Sequence, residues 1–218
     1  MTGALYTGGI FACVLGVIAG IRLMNSPATA FWGNLMGAFS LGFGVFLTLL
    51  HENLLGYPLI WAAIVAGILL GVFLAVVVKT IQMPQTVALL NGVGGAASAL
   101  VGLAMLVAPE PLPTGEQCAS VLALITGAVT FSGSLTAAGK LSGILAQKPA
   151  VISNYRAYST LLAMLLTLLT LWLSVSAGMF TSLFALAVAL LLGVLFAIRI
   201  GGADMPIAIS LLNSMSGI

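Results

Sequence analysis

Met83-Pro-Gln-Thr-Val-Ala-Leu-Leu-Asn-Gly-Val-Gly-Gly95 is echoed by Met205-Pro-Ile-Ala-Ile-Ser-Leu-Leu-Asn-Ser-Met-Ser-Gly217, with six of the thirteen positions identical. In both copies the proline precedes the asparagine by seven residues, which is two helical turns or ~10.5 Å of rise. Proline suits the first turn of a helix, where its missing N–H leaves no bond unmade. Each copy therefore predicts a helix that starts at Met-Pro and carries one asparagine two turns in, Asn91 and Asn213. If the start lies at a membrane surface, the asparagine sits about a third of the way into a ~30 Å hydrocarbon core. A polar side chain at that depth needs a partner. It is either glue between helices or a functional group on a path through the membrane. The matched frame of the two copies favours function.

The membrane setting follows from composition. The 218 residues are 61% hydrophobic and 5% charged, against ~25% charged in soluble domains. No soluble fold hides so much apolar surface, so the chain is expected to be all-α, a polytopic transmembrane helix bundle forming one domain over 1–218. A net charge of +2 without a basic patch gives no footprint for nucleic acid. Cys13 falls in mid-membrane and Cys118 near an edge, so both read as small apolar fillers and not as a disulfide. No catalytic or metal-ligating constellation is read. Arg22 follows the first apolar run instead of preceding it, so that run reads as a retained helix and not a cleaved signal.

Apolar runs of spanning length fall at 4–23, 31–50, 58–78, 84–108, 118–138, 158–177, 179–198 and 204–218, the last cut short. The connectors carry the charge. Arg22, Lys79, Lys140, Lys148, Arg156 and Arg199 all fall on one side, while Glu52, Glu110 and Glu116 fall on the other. The positive-inside rule makes the first side cytoplasmic and the N-terminus external. Both Met-Pro helices then run outward from the cytoplasmic face, a parallel repeat.

Several residues carry two readings. Gly16/Gly20, Gly33/Gly37 and Gly67/Gly71 are small-residue pairs that permit close helix approach. Trp32, Tyr57, Trp61 and Trp172 fall near membrane edges, as interfacial aromatics do. His51 beside Glu52 reads as a solvated loop histidine or as a pH sensor. Gly92-Val-Gly-Gly-Ala-Ala97 matches a dinucleotide glycine pattern, but the match is rejected because it lies inside a span without the strand and distant acid it needs. Its glycines are expected to let another helix pack beside Asn91. In span five, Thr130 and Ser134 share one face and Ser132 and Thr136 another. Those hydroxyls either bond back to their own carbonyls or line a watery path. Pro109–Glu116 is the one Pro-rich linker, and Asp204 is expected to cap the second Met-Pro helix.

Three motifs, in order, resemble one family. Gly201-Gly-Ala-Asp-Met-Pro206 with Leu211-Leu-Asn-Ser-Met-Ser-Gly217 resembles the penultimate membrane helix of the beta subunit of proton-translocating NAD(P) transhydrogenases. Met83-Pro-Gln-Thr-Val-Ala-Leu-Leu-Asn-Gly92 resembles that family's proton-channel helix. Gly127-Ala-Val-Thr-Phe-Ser-Gly-Ser134, with Gly139-Lys-Leu-Ser-Gly143 and Lys148-Pro149, is similar to its middle helix and following loop. The resemblance covers about residues 80–218, and the first 78 match in hydropathy alone.

The resemblance implies a membrane module that couples inward proton passage to hydride transfer from NADH to NADP⁺. It also implies nine membrane helices with the N-terminus outside, followed by a cytoplasmic NADP(H)-binding domain, in a bacterial inner membrane. The chain stops at Ile218, so the ninth helix and the nucleotide domain are expected to be missing. Such a fragment binds no cofactor and catalyses nothing alone, while NADP(H) and NAD(H) belong to the complete enzyme. Some family members carry a titratable His where this chain has Asn91. Where Asn stands there, the His lies on a membrane helix of the alpha subunit. The implied proton path is Asn91, Asn213 and, more weakly, Ser132, each holding water, with Asp204 coupling at the cytoplasmic mouth. The family's complete enzyme is a dimer. Two other readings stand beside this one: a small secondary transporter holding a solute at the two asparagines, and an inert fragment. Against the transporter, the repeats lack a matched charged partner in mid-membrane.

Overall fold

A computed structural model describes residues 3–110 and 112–217. Pro111, within the Pro-rich linker, and Ile218, at which the eighth span was expected to end, lie outside the described residues. Among the described residues the chain forms eight α-helices and no strand. They are α1 (Gly3–Met24), α2 (Ala30–His51), α3 (Pro58–Val77), α4 (Met83–Val107), α5 (Thr114–Leu141), α6 (Tyr155–Val175), α7 (Met179–Ile198) and α8 (Met205–Ser216). Seven of them are long and apolar enough to cross a membrane. In lipid every backbone polar group must be satisfied within its own segment, and helices achieve this. This is a multi-pass membrane protein. Expected as one domain, the chain divides into two compact units, 1–77 and 78–218.

In the first unit α1 and α2 meet through glycine. A Cβ added to Gly20 would lie 2.8 Å from the Gly33 carbonyl oxygen, and one on Gly33 would lie 2.5 Å from that of Gly20. Gly67 and Gly71 on α3 make no such contact: among the described residues nothing lies within 4 Å of a Cβ there. His51 is not a solvated loop residue. It ends α2, and its ring stacks on Tyr6 with centroids 4.1 Å apart. Its Nε2 is 4.0 Å from Glu52 Oε1.

In the second unit α5 is the most deeply buried helix. Three apolar layers run along it. Ala137 and Ala138, near its end, pack with Ala88 at the start of α4 and with Met205 and Ala208 at the start of α8. Ala128 and Val129 pack with Ala99 and Leu212 in the middle layer. Val121 and Leu124, near the α5 start, pack with Leu106 at the α4 end and with Leu173. So α4 and α8 run side by side in the same direction and antiparallel to α5, and the sequence echo is parallel in space. The α4–α5 contact is nearly backbone to backbone: a Cβ on Gly95 would lie 2.8 Å from the Gly127 carbonyl oxygen, and one on Gly127 would lie 2.5 Å from that of Gly95. Lipid offers no hydrophobic drive between helices, and small residues give dispersion contact in its place.

Both echoed helices are entered the same way. A short 3-10 turn, Thr80–Gln82 or Gly202–Asp204, leads directly into Met-Pro. Asp204 does not cap α8 with its side chain. Its backbone, at φ −93° and ψ 0°, is already turned towards helix, whereas a capping residue adopts extended geometry and folds its oxygen back on the first turn.

Candidate functional site

The two asparagines meet in one place. Asn91 on α4 and Asn213 on α8 line a single open cavity of about 610 Å³. Gly94 and Ser98 continue its α4 wall, and Ser210 and Ser216 flank Asn213 on α8. This follows from helical spacing. Asn91, Gly94 and Ser98 recur at three and four residues, and Ser210, Asn213 and Ser216 at three and three, so each set forms a stripe along one face. Side by side and parallel, the two stripes face the same space. Gly94 has nothing within 4 Å of a Cβ, which leaves that stretch of wall open. The glycine next to it, Gly95, points the other way into the α5 contact.

Helix α5 ties the cavity together from behind. Asn91 Nδ2 donates to Ser134 Oγ at 2.9 Å. One turn earlier, buried Thr130 Oγ1 donates to the Leu212 carbonyl at 3.2 Å, beside Asn213. One face of α5 thus bonds to both echoed helices. The other face bonds to itself: Ser132 Oγ donates to the Ala128 carbonyl at 3.1 Å and Thr136 Oγ1 to that of Ser132 at 2.8 Å. Of the two behaviours the sequence left open, the Ser132/Thr136 face shows the back-bonding, while the Thr130/Ser134 face shows neither: its buried hydroxyls bond across to α8 and α4. Ser132 does not line the cavity. It packs on Gly193 of α7, where an added Cβ would run into its Oγ.

Asp204 is exposed at the start of α8, outside the cavity lining. Its amide N–H donates to the Gly201 carbonyl at 3.0 Å. The site is electrically neutral: among the described residues none that lines the cavity is titratable. It can orient water through amides and hydroxyls, and none of these groups takes up a proton in the working pH range. The Gly92–Ala97 stretch does not fit a dinucleotide either. Gly92–Ala97 lies in the interior of α4, nine residues and more past its first residue, Met83, so no free helix N-terminus is there to receive a pyrophosphate.

Ser98, Ser210 and Ser216 escaped the sequence reading. Their signal was the stripe spacing from Asn91 and Asn213, which becomes legible once α4 and α8 are known to be neighbours. A second, larger hollow of about 780 Å³ lies between α5, α6, α7 and α8, lined mainly by apolar side chains with Tyr155, Ser159 and Thr160 at one end. Next to it the Arg199 guanidinium lies 4.2 Å over the Tyr155 ring.

Comparison with known proteins bears on the chain almost from end to end. The profile of the family described as NAD(P) transhydrogenase beta subunit matches residues 7–218. That reach takes in most of the first 78 residues, where only hydropathy had pointed the same way. Two curated relatives named NAD(P) transhydrogenase subunit beta, from Rhodospirillum rubrum and from a strain of that organism, are each 37% identical over 217 residues. The aligned part is 95% of this chain and 46% of theirs, so the chain spans about half the length of the curated relatives it matches.

Proposed function

This chain belongs to the NAD(P) transhydrogenase beta subunit family, and from that premise we infer that it is the membrane module of a proton-translocating NAD(P) transhydrogenase. In the complete enzyme it passes protons inward across a bacterial inner membrane while hydride moves from NADH to NADP⁺. NAD(H) and NADP(H) are bound by parts of the assembly outside this chain. One observation supports the reading most: two asparagines from two echoed helices line the same open, uncharged cavity.

The chemistry then divides between subunits. A carboxamide offers two donors and one acceptor oxygen and takes up no proton in the working pH range. Asn91 and Asn213 therefore hold and orient water. The titratable group is a histidine on a membrane helix of the alpha subunit, laid against the open side of the cavity. Ser134 fixes the Asn91 amide so that its oxygen faces the water. Ser132 acts from the far side of α5, through its seat on Gly193. Asp204, at the cytoplasmic mouth, is where the state of the nucleotide domain is felt by α8. The complete enzyme works as a dimer.

The test is reconstitution of the full-length subunit with its partners in proteoliposomes. Reduction of an NADP⁺ analogue by NADH is followed together with internal pH. Asn91→Leu and Asn213→Leu are each expected to lower coupled proton movement by at least about tenfold, the rate equivalent of one lost polar contact of ~1.4 kcal/mol, with nucleotide binding unchanged. If both variants pump at the wild-type rate, the asparagines are structural glue and the proton-path reading fails.

A further inference from the structure

Lys140 ends α5 without an acid to meet it. The residue is 1% exposed, and among the described residues no carboxylate oxygen lies within 4.0 Å of its Nζ. An ammonium has three donors, and here all three are used on backbone carbonyls: Ile200 at 2.9 Å, Lys148 at 3.3 Å, and Ile198. A charge taken out of water needs dipoles to replace it. Ile198 is the last residue of α7, where unbonded carbonyls and the negative end of the helix dipole gather. Three carbonyls converging on one point suit a compact ammonium better than a planar guanidinium.

These acceptors belong to two segments that are already joined. The Ala150 amide N–H donates to the same Ile198 carbonyl at 3.1 Å, and that of Gly202 donates to the Gln147 carbonyl at 2.9 Å. The loop after α5 is thereby sewn to the strap between α7 and α8, and Lys140 bonds both to the end of α5. The strap runs on through Gly202–Asp204 into α8. From Met205 to Asn213 is eight residues, so Asn213 stands ~12 Å along α8 from this anchor. A change of angle at the anchor becomes a displacement of Asn213.

We propose that Lys140 is a positioning residue for the cavity: its ammonium pins the strap that launches α8 to the end of α5 and so sets how Asn213 faces Asn91. The effect on proton movement rests on the proton-path reading above, but the geometric effect does not, and the two are measured separately.

The reporter is Ser210→Cys on the α8 wall, in the complete enzyme with Cys13→Ala, Cys118→Ala and no other reactive thiol. The rate of its modification by a small water-soluble thiosulfonate is measured in proteoliposomes. Lys140→Met and Lys140→Ala are each expected to shift that rate by about tenfold, the equilibrium equivalent of one charge-assisted hydrogen bond. Propylammonium added to the Lys140→Ala enzyme restores an ammonium at the carbonyls and is expected to return the rate to the wild-type value. It has no room beside the Lys140→Met side chain and leaves that variant unchanged. Wild-type rates in both variants overturn the proposal. So does a shifted rate in Lys140→Ala that propylammonium fails to reverse, because the loss is then one of packing and not of the charge. Coupled proton movement is read in the same vesicles. If labelling follows the amine and proton movement does not, the positioning role stands and the proton-path reading fails.

Discussion

Thr130 and Ser134, one turn apart on α5, make different bonds with the same hydroxyl chemistry. Thr130 donates to a backbone carbonyl of α8, and Ser134 accepts from the Asn91 amide. Thr130→Val keeps the shape of the side chain and removes the donor. It is expected to lower stability in detergent by about 1 kcal/mol, in the range measured for single hydrogen bonds between membrane helices, read as a fall in the thermal midpoint. Ser134→Ala frees an amide that already lines the open cavity. It is expected to leave the melting point nearly unchanged and to reduce coupled proton movement in proteoliposomes. The reverse ranking of the two variants would mean that Ser134 is a structural bond. The sequence sorted these hydroxyls correctly onto two faces, since a separation of four residues is geometry. Which face was inward-bonding was not legible, because the acceptor of Thr130 is a carbonyl and every residue has one. The fate of Lys140 was hidden for the same reason: its partners are the backbone of residues far along the chain.

At the scale of elements the boundaries were readable where apolarity and helicity end together. The seventh span was expected at 179–198, which is the extent of α7, and α4 begins one residue before its expected start. Helix α5 begins at Thr114, four residues before the expected 118, and α6 at Tyr155, three before 158. Hydropathy follows the part of a helix that lies in lipid, while these helices continue into polar first turns. Glu116 sits in the first turn of α5, where a negative charge is favoured by the helix dipole. The glycines of α4 give a sharp test of packing. Gly95→Ala places a methyl group 2.8 Å from backbone atoms of α5, and is expected to destabilise by about 1–3 kcal/mol through overpacking. Gly94→Ala meets nothing within 4 Å and is expected to melt within about 0.5 kcal/mol of wild type. Adjacent glycines with opposite outcomes in the same thermal assay would confirm which one holds the helices together.

For the whole molecule, charge decides what packing cannot. Six basic residues fall at the helix ends and connectors of one side and three of the four acids at those of the other, and the positive-inside rule turns that into an orientation. Asn53→Cys is expected to react with a membrane-impermeant thiol reagent applied outside intact cells, and Ser153→Cys only after the membrane is opened. The reverse pattern, Ser153→Cys labelled from outside and Asn53→Cys only after the membrane is opened, would refute the external N-terminus. The number of helices was legible in the sequence because lipid imposes a length on every apolar run. The side-by-side placement of the two echoed helices came from the resemblance alone, since it depends on both packing against α5 and no residue pattern shows that. Backbones in contact at Gly95 and Gly127 have no compliant layer of side chains between them, so α4 and α5 behave as one stiff frame. The opposite wall is α8, which packs on that frame through Met205, Ala208 and Leu212, accepts the Thr130 hydroxyl bond and is launched from the anchored strap. Two segments that share six of thirteen residues are therefore seated differently: Asn91 rides on a helix joined to α5 backbone to backbone, and Asn213 on one seated on α5 through side chains.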